Sequence, residues 1–387
     1  MSRATSEPDL GLYLHVPFCE HVCPYCDFAV VAVGRLSAEA EAEWLEGVRL
    51  EWLRWRPALA GRRVASVYFG GGTPSLLHAK SLGAVLELLA ADLDFAEPEI
   101  TVELNPGQLE LARVPELRAA GVTRLSVGLQ STHADTLRRL GRAHGPNEAL
   151  AGLAACLAAG FASLSADLIY GAPGQTVEMV LADVERVVDL GVPHVSAYAL
   201  TLEGDTPFVR AERAGRLALP DEDDVVEMSR RLRAALNAAG VAQYEISSFA
   251  RPGHRSHHNQ RYWQRREVLG LGPSAASFVG GRRLRNARSL SGWIAALQAA
   301  TPPCVEDEPV PLAEARREAL YLGLRRLGGV SRADYLREFG APPEAFLASE
   351  LTRLRQRELL LDEAGHIRLS ERGILFADEV FQELVGR

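Results

Sequence analysis

At 387 residues the chain is long enough for a large core and a smaller second unit. Its 47% hydrophobic and 24% charged residues are ordinary for a globular protein, and a net charge of −8 argues against a general nucleic-acid binder, which carries a basic face. No run reaches the ~18 apolar residues of a membrane span, and the opening MSRATSEPDLG lacks the apolar stretch of a secretory signal, so the reducing cytoplasm is the expected compartment.

In chain order, Leu12 to Val16 reads as a strand that stops at Pro17, which has no N–H to donate. Cys19, Cys23 and Cys26 follow on a loop with C-x3-C-x2-C spacing, close enough to turn three thiolates toward one point, as iron–sulfur clusters require. Three protein ligands for a four-iron cubane leave one iron open, the arrangement of a metal site that binds substrate. A structural zinc completed by His21 is the rival reading of this stretch. Cys156 lies in an Ala/Leu-rich helical run and reads as a small buried apolar residue.

Ser37 caps a helix running to about Arg56. Strand 64–69 leads straight into Gly70-Gly71-Gly72-Thr73-Pro74, and a helix over 79–91 follows. Strand 100–104 ends in Asn105-Pro106, strand 124–129 in Gln130-Ser131, and strand 163–169 in Tyr170-Gly171. Helices over 110–119, 147–159 and 176–190 separate them, and a sixth strand covers 195–200. Gly121, Gly160 and Gly191 each stop a helical run, as C-terminal caps do. Six alternations of strand and helix specify parallel strands with helices outside: an α/β fold, here an open partial (β/α)6 barrel.

The C-terminal ends of these strands carry the cysteine loop, the triple glycine, Glu103, Gln130, Asp167 and Tyr198. Parallel barrels build their reactive face at that end. Zinc explains one of these loops and none of the others. Prolines 302, 303, 309 and 311 mark a link to a C-terminal unit of helices with a hairpin near 359–369, winged-helix-like but of mixed charge, so no nucleic-acid partner is expected. The expected division is a barrel over 1–240 with the cluster and the rim site, a connecting region over 241–300 that completes the site, and a C-terminal helical domain over 301–387.

The cysteine spacing with Tyr25 before the last cysteine, followed by the GGGTP run, resembles radical S-adenosylmethionine (SAM) proteins. LYLHVPFC, VYFGGGTPS, ELNP, RLSVGLQS, LGR, DLIYGAPGQT and GLGPSAAS resemble the oxygen-independent coproporphyrinogen III oxidase branch over most of the chain. The resemblance implies a 4Fe-4S cluster on Cys19, Cys23 and Cys26, with SAM on its open iron and cleaved on reduction to a 5′-deoxyadenosyl radical. It implies SAM contacts for Tyr13, Tyr25, Gly71, Gly72, Thr73, Glu103, Gln130, Arg142 and Asp167, with Ala276 as a further position. An electron donor such as a flavodoxin or ferredoxin is implied as well.

Two departures matter. The oxidases resemble C-x3-C-x2-C-x-C, whereas Phe28 stands at the fourth cysteine position, and only 18 residues precede Cys19. Both point to the HemW-type heme chaperones. The stretch His258-Asn259-Gln260-Arg261-Tyr262-Trp263 fits their HNxxYW signature. It implies heme as a cofactor, His258 as an axial ligand, Tyr262 and Trp263 against the macrocycle, and acceptor hemoproteins, including respiratory ones at the membrane. The enzyme reading, oxidative decarboxylation of porphyrinogen propionates to vinyl groups, is the alternative.

Overall fold

The computed structural model describes residues 9–107 and 111–386. Strands β1 (Leu10–Val16), β2 (Val64–Gly71), β3 (Glu99–Leu104), β4 (Arg124–Gln130), β5 (Ser163–Tyr170) and β6 (His194–Ala199) lie parallel in chain order. Helices α1 (Ala38–Leu59), α2 (Ala79–Ala90), α3 (Val114–Ala119), α4 (Pro146–Ala158) and α5 (Val177–Asp189) return the chain between them. The start of the helix expected from 110 lies outside the described residues. Ser37 caps α1, its hydroxyl accepting from the Ala40 amide at 3.2 Å. Gly121, Gly160 and Gly191 follow α3, α4 and α5 at φ of 96°, 75° and 76°, the left-handed region that ends a helix.

These strands alternate with period two. Leu12 and Leu14 of β1, Val67 and Phe69 of β2, and Leu125 and Val127 of β4 face the helices and are fully buried there with Trp44, Val48 and Leu82. The intervening positions face inward and are polar: Ser66 and Tyr68, Thr101 and Glu103, Ser126, Ser165 and Asp167, His194 and Ser196. Strands of a packed parallel barrel read as apolar runs on both faces. Here only the outer face does, and the interior is a hydrogen-bonded polar column: Ser126 and Ser165 donate to the Asp167 carboxylate at 2.8 and 2.9 Å, and His194 Nδ1 lies 2.8 Å from Ser165.

The sheet continues beyond the six units to twelve strands. β7 (Ala242–Glu245) and β8 (Ser248–Ala250) add antiparallel to β6. Helix α6 (His257–Trp263) leads to β9 (Val268–Leu271), which pairs parallel with the free edge of β1, and β10 (Ala276–Val279), β11 (Arg282–Asn286) and β12 (Cys304–Pro309) extend that edge as a meander. β9 is a seventh parallel strand with no helix after it, so strand–helix alternation gives no sign of it.

Helices α7 (Leu312–Leu324), α8 (Arg332–Phe339), α9 (Glu344–Gln356) and α10 (Ala377–Val385) surround a small sheet of β13 (Val330–Ser331), β14 (Leu360–Glu363) and β15 (His366–Leu369). They bury their own core around Leu320, Leu351, Ile367 and Val380. Glu318 of α7, buried, takes an ion pair from Arg265 at 2.9 Å, and Arg325 lies 4.2 Å over the Trp263 ring, so this unit is seated on α6.

Candidate active site: the rim of the barrel

A cavity of about 700 Å³ opens at the C-terminal ends of β2 to β6. Cys19, Cys23, Cys26 and Tyr25 form one wall, Gly71, Gly72 and Thr73 the next. Glu103, Gln130, Arg142 and Asp167 complete the floor and the far side. Eleven of the residues singled out from sequence thus share one cavity, though they come from six separate segments.

The glycines are explained by close approach. A Cβ on Gly72 would sit 2.5 Å from the Phe18 carbonyl oxygen and 3.0 Å from Cys19 Sγ, and Gly71 holds φ at 110°. The Gly72 and Thr73 amides donate to the Val16 and Phe18 carbonyls at 2.8 and 2.7 Å, tying this loop to the cysteine loop. Gly141 does the same from the other side: its Cβ would meet Pro24 at 2.6 Å.

The fit to an iron–sulfur cluster rests on the donors. Burial pushes the Cys19 thiol up to about 11, with a contact from the Thr73 hydroxyl at 3.6 Å opposing it. Such a buried thiol takes up thiolate character when a metal is its partner. Arg142 is buried beside Cys23, 3.6 Å from its sulfur, and donates to the Gly128 carbonyl at 3.0 Å and to Asn105, while its Nε has no hydrogen-bond partner. A guanidinium in a cavity wall suits a carboxylate. A single-ion zinc site is not assembled: His21 Nε2 is bonded to the Gly141 carbonyl at 2.7 Å, and among the described residues no three His, Cys, Asp or Glu side chains converge on one ion.

The acidic side of the cavity is formed by Glu103 and Asp167, each partly buried. Burial raises Glu103 to about 7; the Tyr68 hydroxyl donating at 2.7 Å and the Gly71 amide at 3.2 Å pull it down, and Asp167 pushes it up. Asp167 is likewise raised by burial against its three serine neighbours. Burial and Arg142 hold His144 down at about 4, so it is neutral beside the guanidinium. Gln130 ends β4 at φ 65°, an uncommon conformation for a residue with a side chain, at a register shift between Val127 and Gln130. Strained backbone of this kind gathers at ligand sites.

Three expected site residues lie elsewhere. Tyr13 stands behind the wall, its hydroxyl 3.1 Å from His15 Nδ1 and its ring stacked 6.2 Å from Tyr68. Ala276 is exposed at the start of β10 and does not line the cavity. His258 is buried inside the barrel on α6, with Nδ1 2.9 Å from Ser66 Oγ and Nε2 3.1 Å from the Tyr262 hydroxyl. Both ring nitrogens are thus engaged within the protein, and an iron ligand here would have to replace one of these hydrogen bonds. Trp263 is covered by Arg325 instead of presenting a face to a macrocycle. Tyr68, Ser126 and His144 also line the cavity, and sequence reasoning misses all three. The polar–apolar alternation of VASVYFG and RLSVGLQ is the signal that marks the first two as inward-facing.

A family model described as the radical SAM superfamily matches residues 13–187, and one described as the HemN C-terminal domain matches residues 310–376. The heme chaperone HemW of Lactococcus lactis is 34% identical over 378 residues, covering 96% of each chain. HemW of Mycobacterium tuberculosis is 36% identical over 378 residues, covering 97% of this chain and 95% of that one. Among solved structures, the coproporphyrinogen III oxidase HemN of Escherichia coli, a radical SAM enzyme, superposes with a TM-score of 0.85 at 23% identity, over 99% of this chain and 92% of that one, which shows a shared fold. With its partial barrel, its cysteine loop beside a triple glycine, and full-length similarity of this kind, the chain belongs to the radical SAM superfamily and, within it, to the coproporphyrinogen oxidase-like family that includes the HemW heme chaperones.

Proposed function

We propose that this protein is a heme chaperone that carries a 4Fe-4S cluster and SAM at the barrel rim, binds heme, and delivers it to hemoproteins, including those at the membrane. The observation that carries this reading is the similarity to HemW chaperones along the whole chain. Phe28, 68% exposed at the cavity mouth, supports it, because it replaces the fourth cysteine of the oxidase pattern. Cys19, Cys23 and Cys26 would hold three irons of the cluster, and a SAM carboxylate would meet Arg142. A cluster held there would supply an open iron position for SAM and one-electron chemistry fed by a flavodoxin- or ferredoxin-like donor.

The protein's own part is to orient and to exclude water. Ionised Glu103 would accept from N–H or O–H groups of SAM and favour its sulfonium charge in a cavity of low dielectric. Asp167, held by Ser126 and Ser165, would do the same from the opposite side. Gly72 and Thr73 keep the glycine loop pressed against the cysteine loop, so one unit would position both cluster and SAM. Among the described residues no helix is long and apolar enough to cross a membrane. The cytoplasm is the compartment this reading requires, and from there the protein would meet membrane hemoproteins from inside.

Two assays in parallel test the reading. Anaerobically reconstituted protein should bind heme and leave coproporphyrinogen III unchanged in the presence of reductant and SAM. Formation of protoporphyrinogen without heme binding would make it the oxidase instead.

A further inference from the structure

The HNQRYW helix lies against the cavity from behind. β2 sends Ser66 and Tyr68 to the same inward side, two residues apart. His258 engages both: a hydrogen bond to Ser66 at 2.9 Å, and its ring stacked on Tyr68 with centroids 5.1 Å apart at 28°. Tyr13, the register partner of Tyr68 on β1, lies beside both rings, 6.2 Å from Tyr68 and 6.5 Å from His258. The Tyr68 ring is thus packed within a cluster of three rings, and its hydroxyl donates to Glu103 on the cavity wall at 2.7 Å.

The helix itself is anchored to the strand that carries Glu103. The Glu99 carboxylate, at the start of β3, accepts from the His257 and His258 amides at 3.2 and 3.0 Å, and Ser256 caps the first turn. Arg261 reaches under β1 to the Asp9 and Glu267 carbonyls through space that Gly11 leaves open; a Cβ there would lie 2.8 Å from Arg261 Nε. At the edge of this cluster, Tyr13 bonds His15, and His15 Nε2 lies 2.9 Å from the Ala29 carbonyl, just past the last cysteine of the loop.

We propose that His258 is a positioning residue of the SAM site: its ring braces Tyr68, and Tyr68 fixes the carboxylate of Glu103 toward SAM. This rests on the SAM reading of the cavity given above and assigns the histidine of the HNQRYW segment to that site in place of heme iron. Burial and the neighbouring Arg261 hold His258 down at about 3, so the ring is a neutral, flat support with both nitrogens in use. Glu103 has two donors, the Tyr68 hydroxyl and the Gly71 amide. Loss of a hydrogen bond to a buried ionised group costs about tenfold or more in affinity.

The test uses the full chain with its cluster reconstituted, and reads SAM binding, heme binding and thermal unfolding separately. Tyr68→Phe keeps the stack and removes the hydrogen bond; His258→Asn keeps a polar partner for Ser66 and removes the ring. Each should raise the SAM Kd by about tenfold. Each should also move the pH midpoint of SAM binding upward, because Glu103 loses or loosens a donor to its charged form. The double variant should be no worse than the weaker-binding single one, since both act on the same carboxylate. Heme affinity should be unchanged, and His258→Phe, which restores a ring, should recover SAM binding over Asn.

Unchanged SAM affinity and midpoint in His258→Asn, multiplicative effects in the double variant, or loss of heme binding in His258→Asn would each overturn the proposal. If the Asn variant fails to fold, His258→Phe and Tyr68→Phe decide the matter in its place: loss of heme binding in the former, or an unmoved midpoint in the latter, overturns it. If wild-type protein takes no SAM, the cavity reading falls and this inference with it.

Discussion

The two ends of the barrel interior are both polar, yet they differ in the space their polar groups face. At the N-terminal end, around α6, these groups pack against protein: His258 with Ser66 and Tyr262, Glu99 with the helix amides, Arg124 with Ser163 and the His254 carbonyl. Arg261 Nε and Trp263 Nε1 are buried there without hydrogen-bond partners and lie outside the rim cavity. At the C-terminal rim, Glu103, Gln130, Arg142 and Asp167 line a cavity of about 700 Å³, with Gln130 in a strained conformation and Glu103 raised by burial to about 7. The first end is a plug. The second presents donors and acceptors to open space, the condition of a binding site. Residue type alone does not separate these two, and neither do buried atoms without partners, which occur at both; the cavity does.

The largest effect expected from this contrast is at the cluster. Cys19→Ala should lower iron and sulfide from about four each per chain to background, measured on anaerobically reconstituted protein. Retention of iron would contradict the ligand assignment. Next is Gly72→Ala, whose Cβ would collide with the Phe18 carbonyl and Cys19 Sγ. Backbone must shift, so a stability loss of about 1–3 kcal/mol is expected, together with reduced iron loading, read by thermal unfolding and iron assay.

A smaller, graded effect concerns pH. Glu103 lies at about 7 because burial disfavours its charge, so below that pH it is neutral and binding of cationic SAM must expel a proton. SAM affinity should therefore fall toward tenfold per pH unit on the acid side of about 7 and level off above it; Asp167, raised from the same cause, steepens the acid limb. Glu103→Gln should flatten the profile; an unaltered slope in that variant would place the titrating group elsewhere. The smallest effect is at Phe28, 68% exposed at the mouth. Phe28→Ala should change stability by under about 0.5 kcal/mol, leaving any change in heme or substrate handling as a direct reading of the mouth.

Most of the rim is legible in the sequence because its residues are out of place where they stand: cysteines after a strand, three glycines after another, Glu103, Gln130 and Asp167 near the ends of others. Strand–helix alternation locates β1 to β6, and Gly121, Gly160 and Gly191 mark the helix ends. Two features are not legible. β9 completes the parallel set by pairing with an edge of β1 from some 250 residues away, a non-local contact that no local pattern announces. His258 reads as a ligand because imidazole so often is one, and only the three-dimensional neighbours, Ser66 and Tyr262, show that both its nitrogens are in use. Ala276 and Tyr13 carry the same lesson: a position that matches a motif need not face the cavity.

If one chain holds cluster, SAM and heme together for delivery and not for decarboxylation, heme must bind while the cluster is in place. A hemin titration of the anaerobically reconstituted, SAM-loaded protein, followed by its Soret absorbance, reads this directly. Saturable, equimolar heme binding with the cluster intact is expected, persisting in His258→Asn. Absence of a saturable Soret change in protein whose iron and sulfide are complete would contradict the chaperone role.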